Sequence, residues 1–347
     1  MAAPVTHDQE HHTYVFVVKY VSYYCYILYG MLNALKVSNL RGPKDGLCDC
    51  ILRHEHMRYT GIPTRVSVSL KTRGFSTNKP QQRACCVYQF TGGLVPYHQA
   101  WKWQQRLLHE RMGWQRENPS HEGHDVLLVL EHPSVYTLGR GSTLANLLFD
   151  PDDRGCEHEV RRTERGGEVT WHGPGQLVGY PVLDLNYHRK DLHWYLRQLE
   201  EVIIRVLSMY SLEGERDQAN TGVWVGGDKV AAIGLNASRW VTSHGFSLNV
   251  APDMEAFERI IPCGIEKRGV ACLDDLVEGE VTAPKVRQHI VETFANVFQL
   301  DVTVKEVLAG EGIDESALFP SACDEALEAR LNADLKRQLE LYRPGRK

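Results

Sequence analysis

Residues 165–181 read RGGEVTWHGPGQLVGYP, placing five glycines and two prolines on seventeen positions around one arginine, one glutamate, one histidine and one glutamine. Glycine lets a backbone approach a ligand closely and present its N–H groups, and Pro174 between Gly173 and Gly175 stiffens the turn. Such a loop is expected to line a site, although by itself it is also what an ordinary turn looks like. His172 beside the turn is a candidate proton handler or thiolate neighbour, or else a hydrogen-bonded structural histidine.

Outward from this stretch the pattern is mixed. PYHQAWKWQQRLLHERM repeats Tyr97, Trp101, Leu108 and Met112 at helical spacing, predicting an amphipathic helix near 96–112. DVLLVLEH at 125–132 is a short apolar run between Gly123 and Pro133 and reads as a buried strand. Leu192, Leu196, Leu199, Val202, Ile203, Val206 and Tyr210 mark a second helix. TGVWV and KVAAIGL, joined by Gly226-Gly227-Asp228, form a hairpin, and HGFSLNV adds a strand. A helix over Thr282–Phe298 with Pro284 near its start and a final strand VTVKEV follow. Together they predict an α/β (α+β) fold with one catalytic domain near 84–307, and a charged helical tail over 308–347 that is expected to be peripheral.

The 347 residues are 43% apolar, enough to bury a core. The net charge of -5 is uneven: nine Lys/Arg against five Asp/Glu lie in residues 1–75, which leaves 76–347 at -9. An acidic body argues against nucleic acid as a partner, because such binding depends on neutralising phosphates. Nine cysteines without a CxxC pair read as reduced intracellular thiols. Cys48 and Cys50 with His54 and His56 are the one combination that could recruit a metal, and their weakly patterned surroundings argue against it.

Residues 1–75 are expected to be a poorly structured extension. The apolar run from Tyr20 to Leu35 is short of the ~20 residues of a membrane span, so stable membrane insertion is not expected. No Asp or Glu occurs between Glu55 and Glu110, while Arg58, Arg65, Lys71 and Arg73 stand among Ser and Thr. That composition marks 57–75 as a mitochondrial presequence, with Arg73-Gly74-Phe75-Ser76 as its processing site, or else a basic linker. Met57 is then an alternative start, and residues 1–56 an upstream extension.

Two residues suggest nucleophilic chemistry. Cys263 lies between Pro262 and Gly264, whose small or rigid forms leave the sulfur open to approach, whereas Cys272 beside Leu273 is in a more ordinary setting. Cys85, Cys86, Cys156 and Cys323 read as incidental thiols. A free cysteine of pKa ~8.5 needs a positive neighbour to act as a nucleophile near neutral pH. Lys229 at the start of KVAAIGL supplies one if the fold brings it close; otherwise it is a surface lysine at a hairpin end.

Taken jointly, EHPSVYTLGR (131–140), RGGEVTWHGPGQLVGYPVLDL (165–185), GVWVGGDKVAAIG (222–234), HGFSLNV (244–250) and PCGI (262–265) resemble the lipoyl(octanoyl) transferases, of mitochondrial type. They occur in that family's order. The resemblance implies the fold of the biotin and lipoate protein ligases, a mixed sheet with an acyl tunnel. It also implies transfer of octanoyl from octanoyl-acyl carrier protein, through a thioester on Cys263, to a lysine of lipoyl domains. Those domains belong to 2-oxoacid dehydrogenase complexes and the glycine-cleavage carrier protein. Lys229 falls on the lysine that lowers the cysteine's pKa, and His172 is assigned an assisting role. Arg165, Gly166, Gly167, Glu168, Val169, Thr170, Trp171 and His172 match the substrate loop. Ala232, Ile233 and Gly234, with Gly245, Phe246 and Ser247, match the other segments lining the acyl site. Trp171 replaces the usual Tyr or Phe, with a reshaped pocket wall as the expected consequence, and Cys272 replaces Ser or Thr.

A thioester donor implies no cofactor, ATP or metal, and the expected location is the mitochondrial matrix. The alternatives are an ATP-dependent lipoate or biotin ligase, whose nucleotide signature is absent from the sequence, and a catalytically silent lipoyl-domain binding protein. Since both expected carriers are acidic, docking calls for a local basic patch, for which Arg140, Arg161, Arg162 and Arg165 are candidates.

Overall fold

Cys85 and Val87 alternate with Tyr88 and Phe90 between two different cores, the period of two that defines a strand buried on both faces. This is β1 (Arg83–Thr91), which periodicity in the sequence did not reveal. The computed structural model describes residues 82–117, 125–151, 158–218, 220–261, 269–310, 313, 315, 318, 319 and 325–340. All of these residues belong to one compact unit. The presequence reading, the Cys48/Cys50 group, Cys156, Cys263 and Cys323 lie outside the described residues.

Helix α1 (Tyr97–Glu117) follows β1 and precedes the parallel strand β2 (Asp125–Leu130). The next strands are β3 (Val135–Leu138), β4 (Glu159–Arg162), β5 (Val169–His172) and β6 (Gln176–Val182). Helix α2 (Leu192–Ser208) is capped by Asp191, whose carboxylate accepts the Trp194 N–H. The hairpin strands β7 (Val223–Val225) and β8 (Asp228–Ser238) meet at Gly226 and Gly227, with φ of 60° and 95°. These are the left-handed torsions that a two-residue hairpin turn requires. β9 (Val241–Asn249), the short α3 (Leu273–Leu276), α4 (Ala283–Phe298), β10 (Leu300–Leu308) and α5 (Glu325–Glu340) complete the order.

The large sheet runs β10-β1-β2-β6-β9-β8-β7, parallel across its first three strands and antiparallel beyond β2. One face is covered by α2 and α4 through Leu199, Ile203, Val206, Ile290 and Phe294, all fully buried. α1 packs on the other face through Trp103, Leu107 and Leu108. Each fully buried aliphatic side chain of this kind contributes roughly 1.5–3 kcal/mol. A second sheet, β4-β3-β5, carries its own core of Tyr136, Leu138, Trp171, Phe257 and Ile260.

Two expectations change here. The glycine-rich stretch is not mainly a loop: 169–172 and 176–182 are strands on different sheets, and only 173–175 turns between them. Its glycines serve close packing. A Cβ on Gly179 would sit 2.2 Å from the Phe246 ring, and one on Gly175 (φ 82°) would sit 2.1 Å from the Ala251 carbonyl. The C-terminal helix is also not peripheral. Leu331 of α5 is buried among Tyr97, Trp101 and Val135, Lys102 pairs with Glu328 at 2.8 Å, and Gln338 donates to Glu164 at 3.0 Å. Its charged composition hid a narrow apolar stripe. Among the described residues, no helix is long and apolar enough to cross a membrane.

Candidate active site

β5 of the small sheet and β8 and β9 of the large one border a cleft enclosing about 540 Å³ of unfilled space, its open mouth included. Arg165, Gly167, Glu168, Val169, Thr170 and His172 line one side. Ala232, Ile233 and Gly234 of β8 and Gly245, Phe246 and Ser247 of β9 line the other, with Lys229 at the β8 end. The register explains the pairing of these two triplets, since Ala232, Ile233 and Gly234 stand opposite Ser247, Phe246 and Gly245.

Lys229 is buried, which excludes the surface-lysine alternative. Its ammonium donates to the Thr221 carbonyl at 3.2 Å and lies 4.7 Å from the Trp224 ring centre. Its backbone donates to Gly269 and accepts from Ala271, so β8 is stitched to the chain that emerges from residues 262–268. On the entering side, Ile261 donates to the Asn146 carbonyl. The Arg165 guanidinium turns inward and donates to the Thr137 carbonyl at 2.7 Å and its hydroxyl at 2.9 Å. Buried, it anchors the small sheet to the glycine stretch.

The His172 ring is joined to both sheets. Gln176 donates its amide to the Trp171 carbonyl and to Asn249 Oδ1, so its Oε1 accepts from His172 Nδ1 at 2.7 Å. Asn249 in turn donates to the Ala271 carbonyl. This hydrogen-bond chain links the turn of residues 173–175 to the segment paired with Lys229.

Residues 96–295 match the family model described as "Lipoyl protein ligase A/B catalytic domain". The chain is 55% identical over 226 residues to the octanoyltransferase of Nostoc sp., covering 65% of this chain and 97% of that protein. It is 42% identical over 287 residues to the chloroplastic octanoyltransferase LIP2p2 of Arabidopsis thaliana, covering 80% and 98%. The chain belongs to the octanoyltransferase family. Solved structures agree on the fold. Plasmodium falciparum LipL1 in complex with lipoate matches with a TM-score of 0.56 at 12% identity, over 76% of this chain and 75% of that one. Lipoate-protein ligase A bound with ATP matches with 0.54 at 13%, over 74% and 94%.

Within this octanoyltransferase fold, several residues depart from their expected places. Trp171 does not line the cleft. Its ring packs edge-on to Phe257 in the small-sheet core, its Nε1 donates to Ser134, and it lies where a Gly173 Cβ would be, 2.0 Å from the ring. The aromatic exchange therefore falls on a core position, as β5 alternation requires. Gly166 also lies off the cleft, its N–H bonded to Leu235. The rival thiol Cys272 donates to Asp275 at 3.1 Å, and burial and that carboxylate push it up to about 11. It is therefore a poor nucleophile at neutral pH. Of the proposed basic patch, Arg165 is buried, Arg161 pairs with Glu159 at 2.6 Å and Arg162 donates to the Ser142 carbonyl, so Arg140 alone is exposed.

His172 is not suited to proton handling. Both ring nitrogens face partners, Gln176 Oε1 and, at 3.4 Å, the Thr137 hydroxyl. Burial first, then His132 nearby, lowers it to about 3. His132 is similarly lowered to about 4 by burial, holding the Val95 carbonyl and the Tyr180 hydroxyl. Both are neutral in the folded protein near pH 7, whereas an unfolded histidine titrates near ~6.5. Below that value the unfolded chain binds more protons, so folded stability falls as pH drops through about 6.5. The loss continues to about 4 for His132 and about 3 for His172. The expected slope approaches ~1.4 kcal/mol per pH unit for each ring. Urea unfolding between pH 7.5 and 5 measures it, and His172→Gln should remove its own share; equal slopes in the two proteins would contradict this assignment.

Five cleft residues, Tyr97, Val178, Tyr180, Thr221 and His244, escaped sequence reading. Tyr97 looked like a helix core position, Tyr180 was absorbed in the glycine stretch, and Thr221 carried no signal. His244 was visible only as the first residue of HGFSLNV; its φ of 59°, unusual outside glycine, marks it in the structure. Among the described residues, no group of three or more His, Cys, Asp or Glu side chains is placed to hold a metal.

Proposed function

We propose that this octanoyltransferase takes an octanoyl group from octanoyl-acyl carrier protein and delivers it to a lysine of lipoyl domains, through a thioester on Cys263. The supporting observation is the buried Lys229 at the cleft wall, on a strand hydrogen-bonded to the chain that leaves the 262–268 segment. In the first half-reaction, the Cys263 thiolate attacks the donor carbonyl. The C–S bond to phosphopantetheine breaks, and its sulfur takes a proton from the Lys229 ammonium. In the second, neutral Lys229 takes a proton from the acceptor ammonium and the freed amine attacks the acyl-enzyme. The amide forms, Cys263 leaves as thiolate and the remaining amine proton passes to solvent. One thioester replaces another and an amide follows, so the chemistry needs neither nucleotide nor metal. His172 has the role of a neutral positioning group.

The acceptors are proposed to be the lipoyl domains of 2-oxoacid dehydrogenase complexes and the glycine-cleavage carrier protein. Intact-mass measurement after incubation with octanoyl-acyl carrier protein tests the reading. An octanoyl adduct mapped to Cys263 is expected; stable wild-type protein with no adduct and no transfer to a lipoyl domain rejects it.

We further propose import into an organelle directed by the acid-free stretch 57–75, with the mitochondrial matrix as destination. A plastid is the second reading, favoured by the relative named chloroplastic. A fluorescent fusion of residues 1–75 distinguishes the two, and diffuse cytosolic fluorescence rejects both.

A further inference from the structure

We propose that Glu168 is the seat of the acceptor's ammonium group, so that this carboxylate serves the amine-consuming half-reaction. The inference rests on the acyl-transfer reading above and names a residue that selects its second substrate.

The charge pattern of the cleft motivates it. Arg165 and Lys229 both line the cleft, and among the described lining residues Glu168 is the one carboxylate. Lys229 has given up its proton by the time the acceptor arrives, but the Arg165 guanidinium remains, and without an anion on the wall the approach of an ammonium is opposed. The thioester donor brings no positive charge to its reacting group, so this requirement belongs to the acceptor alone.

Glu168 is also held in place. Its carbonyl accepts the Gly139 N–H at 3.2 Å, and Gly141 donates to the preceding Gly167 carbonyl at 3.0 Å. One carboxylate oxygen, Oε2, accepts from Asn146 Nδ2 at 2.8 Å. That partner is a neutral amide, which orients the carboxylate without neutralising it. Asn146 is fixed in turn: its Oδ1 accepts from the Thr143 hydroxyl at 3.1 Å, and its carbonyl accepts the N–H of Ile261, two residues before Cys263 in the chain. One asparagine thus ties the cleft's carboxylate to the chain that enters the cysteine segment. Glu168 is half-buried, open enough for a lysine side chain to reach.

The experiment pre-acylates the enzyme with octanoyl-acyl carrier protein and follows discharge of the adduct by two nucleophiles. One is a lipoyl domain, whose lysine arrives as an ammonium; the other is hydroxylamine, which is uncharged near neutral pH. Glu168→Gln should slow discharge by the lipoyl domain at least about ten-fold more than discharge by hydroxylamine, the scale of one charge-assisted hydrogen bond. The loss should be mainly in KM for the domain. Glu168→Asp should recover part of the discrimination, and Asn146→Ala should lose part of it. Equal slowing of both nucleophiles, or of neither, overturns the proposal. A wild-type enzyme that forms no adduct instead brings down the acyl-transfer reading, and this inference with it.

Discussion

Cys263→Ala protein is expected to retain its fold, carry no octanoyl adduct after incubation with octanoyl-acyl carrier protein, and transfer nothing measurable to a lipoyl domain. Removing the sulfur removes the covalent intermediate, and with it both half-reactions. None of the described thiols, Cys85, Cys86 and Cys272, lines the cleft. Cys272 is pushed up to about 11 and engaged with Asp275, and burial raises Cys85, followed by the nearby Asp125. Intact-mass spectrometry and a gel-shift transfer assay check the outcome. Persistent wild-type transfer by the alanine variant would sink the covalent mechanism and favour direct attack of the amine on the donor thioester.

Lys229→Met carries the second largest expected effect. Methionine preserves length and contact with the Trp224 ring while deleting the charge. Without a neighbouring ammonium, a cysteine of ordinary pKa ~8.5 is only a few per cent thiolate near neutral pH. The leaving sulfur and the incoming amine also lose their proton partner, for which general acid–base catalysis is worth typically ~10²–10⁴-fold. Adduct formation should therefore slow on the order of 10²-fold or more at pH 7. Its rate should climb with pH to about 8.5–9, as thiolate forms by simple titration. A Lys229→Met enzyme with an unchanged rate and pH profile would show that the lysine only fills the hairpin end. Burial of an uncharged side chain at a 6% exposed position should not itself unfold the protein.

The hydrogen-bond network at His172 shows why part of the site was legible in the sequence and part was not. RGGEVTWHGPGQ marked the cleft because glycine-dense backbone is rare in strands, yet the spacing could not show that Val169–His172 and Gln176–Val182 join different sheets. His172 looked reactive from its neighbours. Its burial makes it a weak base despite the opposing bond to Gln176, and its surroundings are residues brought from β3, β6 and β9. For Lys229 the direction was reversed: alone it resembled a surface residue, and in the fold its side chain is buried against Thr221 and Trp224.

Local pattern determined the elements whose information is short-range: α1, α2, α4 and the Gly226–Gly227 hairpin follow from apolar periodicity and torsional demand within a few residues. The order of family motifs likewise identified the reaction class without coordinates. What only the tertiary structure decided are properties that belong to pairs of distant residues. These include the pairing of β1 with β10, separated by more than two hundred positions in sequence. Others are the docking of α5 onto α1, the inward turn of Trp171, and the joining of Glu168 through Asn146 to the chain entering the cysteine segment. Burial and electrostatic environment are sums over neighbours in space, and a side chain's chemistry is set by those sums rather than by its own identity.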